Sequence, residues 1–318
     1  MNLISQPPKV SIIIPMYNTA EYVREALTSI MEQTLKEIEI LVVNDGSTDQ
    51  SADIVRELSE KDPRVQLIHQ ENQGQSVARN YGISRATGAY LYFMDSDDVL
   101  DREALSACYA CCEKDALDFV FFNAEILNKD SEFSKALNYE RGQGSIHENQ
   151  VYPGEEVFEL QLRSGSYSAS PCLSLVRTTF LTRNHFRFYP GIIHEDELFT
   201  TLLYLRARRV GFLNRSFFKR RFRSDSVMTR TFSKRNIEGY FTVADQLLEV
   251  RRSQSGRVRQ LIDTFLSQTL NAAVWEAWVM PFGDRMYVLK KCLTSYRKYV
   301  SARTLAVLVY KPIKSALP

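Results

Sequence analysis

Long apolar runs, net charge and paired cysteines are all scarce in this 318-residue chain. A membrane-crossing helix needs about 20 consecutive apolar residues, and no run approaches that length, so no transmembrane segment is expected. Lys and Arg total 40 against 38 Asp and Glu, a formal charge of +2. So small a surplus gives no general reason to expect a nucleic-acid partner. The five cysteines are an odd number and follow no signal-like N-terminus, which points to a reduced, cytoplasmic compartment rather than a disulfide framework. Three of them, Cys108, Cys111 and Cys112, crowd into CYACC. No second Cys/His cluster completes a tetrahedral metal set, so they read as the inward face of a helix. What is present is ordinary globular material, 44% hydrophobic and 25% charged, enough for one large domain or a domain with an appendage.

The first hundred residues alternate regularly. KVSIIIP, Lys9 to Pro15, is an isoleucine-rich strand buried on both faces. From Thr19 to about Gln33, Tyr22, Val23, Ala26, Leu27 and Ile30 fall on one helical face. IEILVVND is a second strand, and Ser47 or Thr48 is placed to cap the helix after it. VQLIHQ, then Gly74 to Ala86, then AYLYFMD repeat the pattern. Strand and helix alternating four times specify an α/β fold with a mostly parallel sheet and helices on both faces.

Ligands of such sheets lie beyond the carboxyl ends of the strands. Three of these ends are unusual: Pro15-Met16-Tyr17-Asn18, Asn44-Asp45-Gly46-Ser47 and Asp95-Ser96-Asp97-Asp98. Tyr17 offers a ring on which a base can stack, worth about 1–3 kcal/mol in nucleic-acid systems. An ionised Asp45 only accepts hydrogen bonds, so it selects a base edge with a donor, such as the N3–H of uracil or thymine. Asp95 and Asp97 supply the hard oxygens that Mg²⁺ or Mn²⁺ prefers, with phosphate and water completing the shell. Taken singly, NDGS is an ordinary turn and DSDD an ordinary helix cap. An EF-hand fails because Leu100 replaces the loop glycine and Ser106 the final glutamate. The order of the three motifs at successive strand ends is what carries information.

The stretch from Val10 to Asp101, with SIIIPMYN, EILVVNDGSTD, NQGQSVARN and YLYFMDSDD, resembles the nucleotide-binding half of a family 2 glycosyltransferase of the GT-A fold. The resemblance implies that Pro15, Tyr17, Asn18, Asp45, Arg79, Asp95 and Ser96 surround the nucleotide. It implies that Asp95 and Asp97 form a DxD site, with Asp97 the direct ligand of Mn²⁺ or Mg²⁺. Asp95 serves the ribose or the sugar in one version of that role and the metal in another.

The polar segment from Gly142 to Pro153 has no pattern and is expected to pass over the site. In PGIIHEDELFTTLLYL, Pro190 to Leu205, three carboxylates open a helix whose dipole favours them. Simple capping explains them, but HED also resembles the family's ED motif. That implies Asp196 as the base that deprotonates the acceptor hydroxyl and Glu195 as its neighbour, with His194 structural. FFKRRFRSDSVMTR, Phe217 to Arg230, has the composition of a short nucleic-acid patch but no accompanying fold. It resembles the family's arginine-and-serine loop, which implies that Arg221 and Ser226, with Arg220 and Arg223 nearby, hold the donor diphosphate.

Residues 1–230 are thus expected to form the glycosyltransferase domain, with nucleotide-binding half 8–101 and acceptor half 102–230. Residues 231–318 form a helical extension in which Trp275 and Trp278 read as core. From Gly283 to Pro318 there are eight Lys/Arg against Asp284 alone, a net +7. MYVLKKCLTSYRKYV within it suits either an anionic membrane surface or packing against its own fold. The resemblance implies an inverting, metal-dependent transfer of a hexose from a UDP- or dTDP-sugar to a surface glycan, such as an O-antigen, capsule or teichoic-acid-like polymer, or to an undecaprenyl-diphosphate-linked acceptor. Enzyme and membrane would then meet at the inner face of the plasma membrane. Two alternatives remain. A nucleotidyltransferase shares the sheet but needs a Gly-rich loop that IIIPMYNTAEY lacks. A non-catalytic nucleotide-sugar-binding scaffold would show a broken motif, and none is broken.

Overall fold

The computed structural model describes residues 7–127, 140–142, 144–222, 231–254 and 256–315, with side chains as far as residue 310. The described chain separates into two compact units. The first lies within Met1–Gly191 and Phe199–Phe222, the second within Ile192–Leu198 and Arg223–Pro318.

The first unit is built on one sheet of eight strands: β1 Val10–Met16, β2 Ile38–Asp45, β3 Val65–Gln70, β4 Tyr90–Phe93, β5 Val99–Leu100, β6 Phe119–Ile126, β7 Ser174–Arg177 and β8 Val210–Arg220. Their order is β3-β2-β1-β4-β7-β6-β8-β5. As the alternating pattern requires, β3, β2, β1 and β4 are parallel neighbours. Beyond β4 the sheet is mixed: β7 runs antiparallel to both its neighbours, β6 and β8 are parallel, and β5 is antiparallel to β8. Every residue of β1 and β4 is buried. That is why these strands read as continuous apolar runs rather than alternating ones.

Helices α1 Val23–Met31, α2 Ser51–Lys61, α3 Gln75–Arg85, α4 Ala104–Lys114, α5 Gly154–Ser164 and α6 Thr178–Arg183 follow the strands. Helix α1 buries Val23, Ala26, Leu27 and Ile30, four of the five positions that its periodicity marks. Cys108 and Cys112 are buried on the inner face of α4. Two expectations are corrected. Ser47 and Thr48 do not cap α2, which begins at Ser51; both are bound to Asn18 instead, and Asp49 Oδ1 accepts the Ser51 N–H. Nor does the segment ending at Pro153 pass over the strand tips. Tyr152 is bridged to Val210, the first residue of β8, and Ile146 is buried, because even this polar stretch has apolar anchors.

Helix α7, Glu195–Arg206, opens in the second unit and continues in the first. The second unit then comprises α8 Lys234–Arg252, α9 Gly256–Glu276, α10 Phe282–Ser295 and α11 Ala302–Ser315. Asp263 on α9 accepts both arms of Arg251 from α8, at 2.7 and 2.8 Å. Val288 and Cys292 face inward from α10, and Tyr296 just beyond is fully buried, its hydroxyl donating to Asp245. Phe282, Leu293 and Tyr310 are exposed. Trp275 is not core as expected: it is 38% exposed, since it falls on the outer face at the last turn of α9. Among the described residues, no helix is long and apolar enough to cross a membrane.

Candidate functional site

The parallel register brings the three strand ends to one edge of the first unit. Met16 pairs with Asn44 and Asp45 with Gln70, so Tyr17 and Asp45 leave adjacent strands one step apart. Strand β4 stops at Phe93 beside Ile13, and the Met94 N–H donates to the Ile13 carbonyl, which aims Asp95–Asp98 along the last residues of β1. Pro15 lies past the last pairing of β1 with β4, where a residue without an N–H is tolerated.

Tyr17 is 49% exposed, an unusual state for a ring at the end of a fully buried strand. Asn18 adopts φ +50° and ties the first two loops together: its N–H donates to Ser47 Oγ and its Oδ1 accepts the Thr48 N–H at 2.8 Å. Gly46, at φ +73°, sits where any Cβ would meet the Asn72 amide at 3.0 Å, so the turn after Asp45 demands glycine. Asp45 is buried and heavily used. Its Oδ1 accepts from Gln70 Nε2 (2.7 Å) and the Gln73 N–H (2.9 Å), and its Oδ2 from the Gly74 N–H (2.9 Å). A carboxylate has about four acceptor positions, so the loop takes three and leaves room for one more donor.

The acidic loop is equally organised. Gln75 Nε2 and Arg79 Nη2, one turn apart on α3, both donate to Asp95 Oδ1, at 3.0 and 2.8 Å. Both contacts fall on one oxygen. Ser96 is buried and accepts from Thr19 Oγ1 at 3.0 Å. Asp98 is buried too; desolvation, reinforced by the charges of Asp97 and Asp95, pushes its carboxyl well above the usual range. Arg221, just past the end of β8, braces this loop. Its N–H donates to Asp98 Oδ1 (2.7 Å), its Nε to the Asp97 carbonyl (2.9 Å), and its Nη2 to Glu25 on α1. The guanidinium also lies 5.3 Å from the Tyr22 ring centroid. Arg220 is half-buried near Asp98, while Arg223 and Ser226 lie outside the described residues.

Pattern reading gave Asp98 no separate role and missed Glu25, Gln75 and the triple use of Asp45. One clue was available: Gln75 and Arg79 are four apart in NQGQSVARN, the spacing that puts two side chains on one helical face.

In the second unit, Asp196 and Glu195 occupy the first turn of α7, where Asp196 Oδ1 accepts the Glu197 N–H at 3.0 Å. A Cβ on Gly239 of α8 would lie 2.2 Å from the Ile193 carbonyl, so the chain entering α7 packs directly on helix backbone. His194 adopts φ +70° and stacks on Tyr240 with centroids 4.1 Å apart. Burial lowers its pKa to about 4, against the pull of Glu195, so at neutral pH it is an uncharged structural ring. Glu197 Oε2 is shielded from solvent with no hydrogen-bond partner among the described residues. Burial, with the charge of Asp196, raises its pKa to about 8.

The glycosyl transferase family 2 model matches residues 11–170, half of the chain. The chain belongs to glycosyl transferase family 2. Over 221 residues this family 2 chain is 34% identical to glycosyltransferase GlyA of Streptococcus pneumoniae, covering 69% of the chain and 31% of GlyA. It thus spans about a third of that relative's length. Among solved structures it superposes on S. aureus TarS 1–349 in complex with UDP-GlcNAc with a TM-score of 0.70 at 21% identity, covering 97% of this chain and 91% of that one. A mannosyltransferase, PcManGT from Pyrobaculum calidifontis in complex with GDP-Man and Mn²⁺, gives 0.59 at 16% identity, covering 98% and 81%. At these identities the likeness shows the fold, and it bears out the expected GT-A architecture.

Proposed function

We propose that this chain transfers a hexose from a UDP- or dTDP-sugar to a hydroxyl of a growing surface glycan or a lipid-linked acceptor, inverting the anomeric carbon. The observation that carries this reading is the shared edge of the first unit, where an exposed Tyr17 ring, the Asp45 carboxylate and the Asp95–Asp98 loop follow successive strand tips. The UDP-GlcNAc complex of TarS supports a uridine donor.

Tyr17 stacks on the base and Asp45 accepts its N3–H with the acceptor position that the loop leaves over. Arg79 and Gln75 fix Asp95 through Oδ1, so that its other oxygen faces the ribose, the sugar or a metal. Asp95 and Asp97 are half-buried carboxylates in one short loop. Among the described residues no three ligating side chains gather into a metal cage. That donor set fits Mn²⁺ or Mg²⁺ of the kind held by one or two carboxylates, with substrate phosphates completing the shell; the ion bound to PcManGT is consistent with it. Asp97, with Asp95, would hold the ion, which when bound supplies positive charge to the departing diphosphate. Arg221 and Arg220, with Arg223 and Ser226, bring further cationic and hydrogen-bonding groups to that diphosphate. Asp196, beside Glu195, takes the proton from the acceptor hydroxyl as it attacks the anomeric carbon opposite the leaving group. One such displacement inverts configuration.

The test is a screen of nucleotide sugars with Mn²⁺ and Mg²⁺, read by release of nucleoside diphosphate. Turnover of a UDP- or dTDP-sugar is expected, and turnover of none in either metal would overturn the proposal. Asp196→Asn is expected to bind donor and fail to transfer. The basic stretch from Gly283 packs its inward face on its own unit. Contact of its outer face with an anionic membrane surface is the second part of the proposal; flotation with liposomes with and without the stretch decides that point, equal binding removing it.

A further inference from the structure

We propose that an arginine-lined cleft at the other edge of the same sheet binds a phosphate oxyanion. The cleft encloses about 330 Å³ and is lined by Asp118, Arg177, Arg183, Asn184, Arg206 and Arg208, among others. All belong to the first unit. Register places the cleft where strands begin: Tyr90 opens β4 opposite Arg177, and Asp118 and Arg209 immediately precede the paired residues Phe119 and Val210. The strand tips carrying Asp45 and Asp95 are at the opposite ends. All four arginines fall outside residues 11–170, so the family match assigns them nothing.

Three of the four arginines in this cleft have no ion-pair partner among the described residues. Asp118, its one carboxylate, is committed to the backbone, Oδ2 accepting the N–H groups of Arg208 and Arg209 at 2.8 and 3.0 Å. Arg177 is paired with Glu113 at 3.6 Å and lies over the Tyr90 ring. Arg183, Arg206 and Arg208 have no carboxylate within ion-pair distance among the described residues. Arg206 is nevertheless held in place: its Nη1 donates to the Asn184 carbonyl at 2.7 Å and its guanidinium lies 5.2 Å from the Phe186 centroid. Partial desolvation of its guanidinium, with no opposing anion, pulls its pKa below the ordinary value although the residue keeps exposed surface.

Guanidinium groups are planar forks of N–H donors that match tetrahedral oxyanions, and gathering several around one concavity without counter-charge is costly unless an anion joins them. A phosphate group brings up to two charges and three strong acceptor oxygens. It comes either as a free phosphate or as a lipid headgroup, and the two are separable by experiment.

The full chain is titrated with inorganic phosphate, followed by ³¹P line broadening, and separately with phosphatidylglycerol vesicles against phosphatidylcholine vesicles, followed by sedimentation. Arg183→Gln/Arg208→Gln removes two exposed, unpaired arginines and spares Arg177 and Arg206, whose guanidinium groups lie over Tyr90 and Phe186. It is expected to weaken binding about tenfold or more, the scale of losing charge-assisted hydrogen bonds. Arg56→Gln/Arg85→Gln loses the same charge elsewhere on the first unit and is expected to stay within about twofold. A loss confined to vesicles identifies a headgroup, and a loss with inorganic phosphate identifies the free group. Equal losses in both double variants, or no loss in either arm, overturn the proposal.

Discussion

Arg79 pairs with Asp95 at 2.8 Å through a side chain that is only 4% exposed, while the aspartate's is 26% exposed. The cation is therefore interior and the anion stands at the surface of the strand-tip edge. An arrangement of this kind orients a carboxylate before any ligand arrives. Arg79→Ala would leave Asp95 with Gln75 alone and open a space beside Phe188, over which the guanidinium lies. Breaking a buried pair by removing one partner costs about 3–5 kcal/mol. Because Asp95 keeps access to water, about 3 kcal/mol is expected from urea unfolding. A loss below about 1 kcal/mol, the scale of a surface pair, would show that Arg79 does not set the position of Asp95.

A substitution at Asp97 tests the proposed ion separately from the fold of this loop. Asp97 is half-buried, its carbonyl accepts from Arg221, and its charge acts on the buried Asp98 beside it. Asp97→Asn preserves that carbonyl and the side-chain shape. Its thermal midpoint is expected within about 2 °C of the parent, as for a substitution that disturbs no packing. Donor turnover is expected to fall roughly 100-fold or more, since a phosphate-neutralising ion supplies several kcal/mol. Full turnover with Mn²⁺ in the variant would place the ion elsewhere.

What the sequence made legible follows from periodicity and position. Strands β1, β2 and β4 were visible because both faces are buried, leaving unbroken apolar runs, and the half-exposed β3 was visible from its place in the alternation. The strand-tip residues were visible because carboxylates at the end of such a run are costly without a purpose. In the mixed half, β5 and β7 were not, since β5 is two residues long and β7 four, with no regular strand–helix alternation around them. Elements that short carry no measurable period. Nor could any pattern show that Asp45 is committed to Gln70, Gln73 and Gly74, because that commitment depends on a loop closing 25 to 29 residues later. Arg221 stood out only as one of a run of basic residues after a strand; its partner Glu25 lies 196 residues away.

The proposed double duty of Asp45, as loop anchor and base acceptor, gives a test with two readouts. In Asp45→Asn the amide supplies one acceptor oxygen in place of two, and its NH₂ must face either the Gly74 N–H or the pair donated by Gln70 and Gln73. Losing a buried hydrogen bond and gaining a donor–donor conflict should cost about 1–3 kcal/mol of stability. The same change presents a donor to the base. UDP binding is expected to weaken relative to CDP in a competition titration. Lower stability with an unchanged UDP/CDP ratio would make Asp45 a loop anchor and nothing more.

Glu197 gives the second unit a pH dependence of known sign. Burial and the neighbouring Asp196 raise its pKa from 4.5 to about 8, so the folded chain holds a proton there that the unfolded chain releases earlier. Stability from this group is complete below about pH 4.5 and is lost as pH rises through about 8. His194 acts in the opposite sense, lowered from 6.5 to about 4, and its contribution is lost as pH falls through that window. The residual histidine titration just above pH 6.5 is common to the wild type and the Glu197 variant, so their difference isolates the glutamate. Tyr240 faces the same carboxyl, but burial and the charges of Glu197 and Asp196 raise its hydroxyl far above this range. Between pH 6.5 and 8.5 the thermal midpoint of the wild type should therefore fall, and that of Glu197→Gln, which keeps the neutral shape at every pH, should fall less. Parallel curves for the two proteins across this interval would mean that Glu197 is already ionised at neutral pH.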